Sequence, residues 1–155
     1  MYKALDVAKY IIYSERKNSR LVNNIRLQKL LYFVQAYFYQ ETGHACFDDA
    51  IEAWEIGPVV PIVFQEYRIN GTGTIFSYLL YDEQKESLPK KDKQLIDKAL
   101  EICKTHSTVE LTNISRRQDP WKKAYAKRFC YLKSTKIKGE DMKEYFWEDH
   151  SKPNG

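Results

Sequence analysis

The chain has 155 residues and a net charge of +4, with 43% hydrophobic and 30% charged residues. That length suffices for a buried core in one domain, residues 1–150, followed by a frayed tail at 151–155. No run of about 18 apolar residues occurs, which argues against a membrane span, and the early Asp6 among lysines argues against a signal peptide.

Residues 2–14 read as a first helix, because Leu5, Ala8, Ile11 and Ile12 recur at helical steps. Asp6 and Glu15 are expected on its solvent side, and residues 14–20 as a polar, basic loop. Asn23 or Asn24 then caps a second helix over residues 25–40, since an Asn side-chain oxygen accepts a free N–H of the first turn. Leu27, Leu30, Leu31, Val34 and Phe38 form one stripe of that helix. Phe33, Ala36 and Tyr37 widen it to a second face. Gln28, Lys29 and Gln35 leave only a narrow polar strip, so the helix is expected to be central. Gly43 suits the left-handed position that ends it.

The stretch Ile51–Pro61 combines Trp54, Glu52, Glu55, a Gly57-Pro58 pair and Pro61. Proline has no amide donor and disfavours α geometry before it, so this stretch forms a corner. Residues 51–56 suit a short strand, and the β-branched and aromatic residues 72–81 suit an extended segment pairing with it. Pro61 opens a helix to residue 69. A further helix runs over residues 89–104, with Leu95, Ile96, Ala99, Leu100, Ile102 and Cys103 inward. Ser107 and Glu110 match a capping box that starts the next helix. Asp119-Pro120-Trp121 reads as cap, N1 proline and anchor, with Trp121, Tyr125 and Phe129 as a buried stripe. A last short helix spans residues 139–147. The fold class is therefore mainly α: one compact domain of about six helices with a small β element near Trp54 and Ile75.

Little of this points to catalysis. No GxSxG, Walker, HExxH or GxGxxG pattern is present. Glu52 and Glu55 flank Trp54 and form an available carboxylate pair, although in a strand they point to opposite faces. Cys46, Cys103 and Cys130 show no CxxC spacing and read as reduced thiols in a cytoplasmic protein. His44, His106 and His150 are scattered, so neither a metal site nor a cofactor site follows.

Charge is uneven. Residues 116–138 hold nine basic residues against Asp119 alone, a local +8 that leaves the rest of the chain at −4. Arg116, Arg117, Lys122, Lys123, Lys127 and Arg128, interleaved with aromatics, make a candidate nucleic-acid face. The plainer reading is the solvated side of a helix whose aromatics are buried. Aromatics reach 14% of the chain, with twelve tyrosines, and such an excess also suits a protein-binding surface.

Several segments resemble one family in matching order. Residues 23–33 contain LQKLLYF, residues 52–61 contain an EAW-x-x-GPV corner, residues 119–124 contain PW-x-x-A, and residues 142–146 close on an aromatic pair. Together these resemble the Panacea, or SocA-like antitoxin, domain of bacteria and phages, over Ala4 to Trp147. One departure is visible: a histidine common shortly before the Pro-Trp pair is absent from Thr112–Gln118. The resemblance implies a mainly helical, non-enzymatic antitoxin that binds a toxin encoded beside it, in one branch delivering it to a bacterial protease. It implies no cofactor. Its apolar, Gly and Pro matches are structural. The polar and aromatic matches Gln28, Lys29, Glu52, Trp54, Asp119 and Trp121 are candidates for a partner surface or for buried hydrogen bonds.

Overall fold

The computed structural model describes residues 1–129 and 135–142. Cys130, Tyr131, His150, the closing helix beyond Met142 and the tail lie outside the described residues. Within them the chain runs α1 (Ala4–Lys17), α2 (Asn24–Thr42), β1 (Glu52–Trp54), β2 (Gly57–Val59), α3 (Pro61–Glu66), α4 (Lys90–Cys103), α5 (Thr108–Arg117), α6 (Asp119–Tyr125) and α7 (Gly139–Met142), with 3-10 turns at Arg68–Asn70 and Ser77–Leu80. The mainly α fold class with a small β element therefore holds, with seven α-helices among the described residues rather than about six.

Helix α2 is the axis. Leu27, Leu30, Leu31, Tyr32, Phe33, Val34 and Ala36 have no exposed surface. A helix apolar on nearly every side must be covered on nearly every side. Helices α1, α3, α4, α5 and α7 and strand β2 all pack against it. Its start is set by Asn23, whose side chain accepts from the Arg26 N–H at 2.9 Å. Asn24 does not cap; its Nδ2 donates instead to the Phe64 carbonyl of α3. Gly43 ends α2 in the left-handed conformation, at φ +76°.

The narrow polar strip of α2 does not face water. Gln28 and Lys29 have no exposed surface, and Gln35 is buried. Each is inside because it satisfies backbone that cannot reach solvent. Gln35 accepts from the Cys46 and Phe47 N–H groups and donates to the Phe47 carbonyl. It thereby pins the segment that bridges to Tyr2.

Helix α1 extends three residues past the expected end, into the stretch read as a loop. Glu15, expected in solvent, is fully buried. Ser19 at φ +60° turns the chain back. Arg20 then lies against Glu15 with a 2.8 Å ion pair. Burying a carboxylate requires such a partner.

The β element also differs from expectation. Residues 51–54 do not pair with residues 72–81. Strand β1 pairs antiparallel with β2 in the register Glu52↔Val59, Ala53↔Pro58 and Trp54↔Gly57, across the two-residue turn Glu55-Ile56. A local hairpin closes a far shorter loop than the distant pairing would. On the other edge of β1, the Ala53 N–H donates to the Thr135 carbonyl and the Ile137 N–H to the Ile51 carbonyl. Residues 72–81 instead cross α1 as a loop and a 3-10 turn, held by the buried Ile75, whose N–H donates to the Val22 carbonyl.

Helix starts follow their local chemistry. Ser107 and Glu110 form the expected capping box. At α6 the cap is Gln118, and Asp119 is already the first helical residue, one position from the expectation. The buried stripe of α6 is shorter than its spacing suggests. Trp121 and Ala124 are buried, while Phe129 is 82% exposed because helical geometry ends at Tyr125.

Candidate functional site

The hairpin meets α2 through its free edge. Ala53 sends its N–H away from β2, toward Thr135. Its partner Pro58 therefore turns its carbonyl away from β1, as antiparallel pairing requires. That carbonyl accepts from Lys29 Nζ at 3.0 Å. Two residues on, the Val60 N–H donates to Gln28 Oε1 at 2.9 Å. Proline at position 58 has no N–H, so this edge carries no third group needing a partner. Gln28 and Lys29 thus act as the missing neighbouring strand. Gln28 Nε2 also donates to Asn24 Oδ1, and Asn24 donates to Phe64, so the chain of bonds continues to α3.

Gly57 makes the close approach possible. Its φ is +99°, a region that L side chains avoid. A Cβ there would stand 3.0 Å from Lys29 Cε, 3.2 Å from Lys29 Nζ and 3.4 Å from Ser115 Oγ. Burial pushes the Lys29 ammonium down to about 7, because desolvation disfavours its charged form.

The third wall of the junction is the α5–α6 corner. Tyr32 donates its hydroxyl to Gln118 Oε1 at 2.6 Å. Trp121 donates its indole N–H to the Trp54 carbonyl at 3.0 Å. Trp54 in turn donates its own indole N–H to Glu52 Oε1 at 2.9 Å, and its ring meets Phe64 edge-on at 5.4 Å.

The six candidate residues thus separate into two groups. Gln28, Lys29 and Trp121 are interior and hold backbone groups. Glu52, Trp54 and Asp119 are partly exposed. The two carboxylates of the candidate acid–base pair have different surroundings: Glu52 is engaged by Trp54, whereas Glu55 is exposed in the turn. The thiols of Cys46 and Cys103 are buried, which pushes both well up and away from nucleophilic character.

The basic residues run from the end of α5, along α6 and past its end. Arg116, Arg117, Lys122, Lys123 and Arg128 are exposed, and Lys127 is half-buried. Arg116 lies over the Trp121 ring at 5.2 Å, and Trp121 stacks on Tyr125 at 4.3 Å. Arg128 lies 4.1 Å over Tyr125 and 4.3 Å over Phe129. Lys123 and Lys127 also line a groove of about 300 Å³ with Lys136, Lys138, Glu140 and Asp141. Nothing in the spacing of Lys136 and Lys138 announced that groove, which the return of the chain to β1 creates.

A helical domain whose central helix clamps a small hairpin through an internal Gln-Lys pair is the class that this geometry defines. The family model described as "Antitoxin SocA-like, Panacea domain" matches residues 27–122. The chain belongs to that family. The match begins at Leu27 in α2 and ends just past Trp121, so it contains Gln28, Lys29, the hairpin, Gln118 and Trp121. Antitoxin SocA of Caulobacter vibrioides (strain NA1000 / CB15N) is 28% identical over 109 residues, covering 64% of this chain and 58% of that protein. The chain thus spans less than two thirds of that relative's length. No solved structure matches the chain. Among the described residues, no helix is long and apolar enough to cross a membrane.

Proposed function

We propose that this protein is an antitoxin that neutralises a toxin encoded beside it by direct protein–protein contact in the bacterial cytoplasm. The observation that carries this reading is membership of the SocA-like family, matched from α2 through the start of α6. The buried status of Gln28, Lys29 and Trp121 gives the shared motif a scaffold role, which leaves contact with a partner to accessible side chains such as Glu52, Trp54 and Asp119. Co-expression with the product of the adjacent reading frame tests the reading. Growth should be restored and the two proteins should co-purify; persistent toxicity with no complex rejects it. Delivery of the toxin to a protease is a further step of the same proposal. It predicts a shorter toxin half-life when this protein is present, and an unchanged half-life leaves simple sequestration.

A second reading, contact with nucleic acid through the basic face, is favoured by one specific observation. Lys123, Lys127, Lys136 and Lys138 border one groove, against Glu140 and Asp141. Such a face binds phosphate with a strong dependence on salt. A gel-shift titration at two salt concentrations, with Lys123 and Lys127 changed to Gln as the control, decides it. Binding absent at low salt removes the reading.

A further inference from the structure

The loop between α3 and α4 is anchored at some positions and bare at others. Tyr78 accepts from Arg16 Nε at 3.2 Å, with the guanidinium 5.3 Å over its ring. Tyr81 stacks on Tyr13 at 4.5 Å. These contacts fix the 3-10 turn Ser77–Leu80 on α1. Between them Leu79 is 74% exposed and Leu80 87%, with Phe76 just before the turn at 58%. Three large apolar side chains held in water on an anchored turn mark an interaction surface.

Beneath this turn lies a cavity of about 560 Å³. Leu80 is on its rim, and Tyr67, Tyr78 and Tyr81 supply aromatic wall. Its charged lining is Asp6, Glu66, Asp82 and Glu86 against Lys9 and Lys85, an excess of two negative charges. The Glu86 side chain is only 8% exposed. Its Oε1 pairs with Lys93, which belongs to a neighbouring cavity. Its Oε2 is buried with no hydrogen-bond partner among the described residues, and so is the Tyr81 hydroxyl. A buried carboxylate oxygen without a donor is costly. The open lining of the cavity is itself acidic and aromatic, and it suits a cationic, hydrogen-bond-donating group.

We propose that this cavity receives an arginine or lysine side chain of a protein partner, with neighbouring apolar residues of that partner packing on Leu79, Leu80 and Phe76. An arginine fits the chemistry best. Its planar fork pairs with exposed carboxylates of the lining such as Glu66 and Asp82, and its face stacks on tyrosine. The exposed leucines distinguish a protein partner from a small free cation, since only the former covers them. The proposal deepens the partner-binding reading and rests on it for its biological meaning, but its test uses no toxin, so each fails separately.

The test is selection of a random peptide library displayed on phage against the full chain. Enriched peptides are expected to carry arginine or lysine beside bulky apolar residues. Their binding should fall about tenfold or more when the protein carries Leu80→Asp or Glu66→Gln. Leu80 is at the surface, so its variant keeps the wild-type circular dichroism and melting temperature. Replacing the basic residue of an enriched peptide by glutamine, against the unaltered protein, should cause a similar loss and does not depend on any variant folding. No enrichment, enrichment without a basic residue, or binding indifferent to these changes overturns the proposal.

Discussion

Replacing Gly57 by alanine should cost this fold far more than the same change at Gly43, and the difference measures the junction between α2 and the hairpin. Both glycines have positive φ, +99° and +76°. An L residue in such a conformation costs about 1–3 kcal/mol. At Gly43 that is the whole cost, because nothing lies within 4 Å of an added Cβ. At Gly57 the methyl would also meet Lys29 Cε at 3.0 Å and Nζ at 3.2 Å. Lys29 is fully buried and cannot swing its end into water, so even a shift of a few tenths of an ångström strains the bond from Nζ to the Pro58 carbonyl. Loss of a buried hydrogen bond of this kind costs about 1–3 kcal/mol more. The sum, about 2–6 kcal/mol, is a large part of a typical domain's stability. It corresponds to a fall in melting temperature of roughly 4–24 °C for Gly57→Ala, against roughly 2–12 °C for Gly43→Ala, with Gly57 the larger by the share that Lys29 adds. Thermal unfolding followed by circular dichroism reads both. Equal shifts for the two variants would refute the wedge of Lys29 against Gly57. A shift under about 2 °C at Gly57 would refute the backbone argument as well.

Two further predictions concern the same junction. Lys29 sits at about 7 in the fold, against about 10.4 in an unfolded chain. Above about pH 7 the unfolded chain therefore holds a proton that the folded chain has released, and stability should rise with pH, by up to about 1.4 kcal/mol per unit. The rise should fade beyond about pH 8.5, where unfolded thiols ionise while burial holds Cys46 and Cys103 protonated in the fold, giving the opposite slope. Urea unfolding across this window should show the rise in the wild type and a flat profile in Lys29→Met; identical profiles refute it. Gln28→Leu removes the acceptor of the Val60 N–H and the donor to Asn24. Each buried group left without a partner costs about 1–3 kcal/mol. Chemical denaturation should therefore show a loss of roughly 2–6 kcal/mol, and a loss under about 0.5 kcal/mol would mean that water replaces the glutamine.

Features set by neighbours along the chain were legible in the sequence. The capping box at Ser107 and Glu110, the stop at Gly43 and the apolar circumference of α2 each depend on residues a few positions apart, and each stands in the structure. So does the resemblance, because LQKLLYF and the EAW-x-x-GPV corner are contiguous strings. An environment supplied by another segment was not legible. The position of Glu15 on its helix points it to solvent, and nothing in that helix hints that Arg20 returns to cover it. Composition pairs residues 52–54 with residues 72–81, whereas the two-residue turn at Glu55-Ile56 makes the local pairing cheaper in loop entropy. Phe129 keeps helical spacing with Tyr125, yet the helix stops before it.

The sequence by itself determined most of the helices, the corner at Gly57-Pro58 and the family, because propensity, capping and motif are local properties. Only the tertiary structure decided what the motif is for. Gln28 and Lys29 read as the polar strip of a helix, and Gly57-Pro58 read as a corner. Brought together, they are two halves of one hydrogen-bonded joint: a proline edge that offers one carbonyl and one N–H, and a helix that supplies the lysine and glutamine to meet them. That pairing spans about thirty residues of chain, and its physical reason is the requirement that buried backbone groups be satisfied, which no periodicity records.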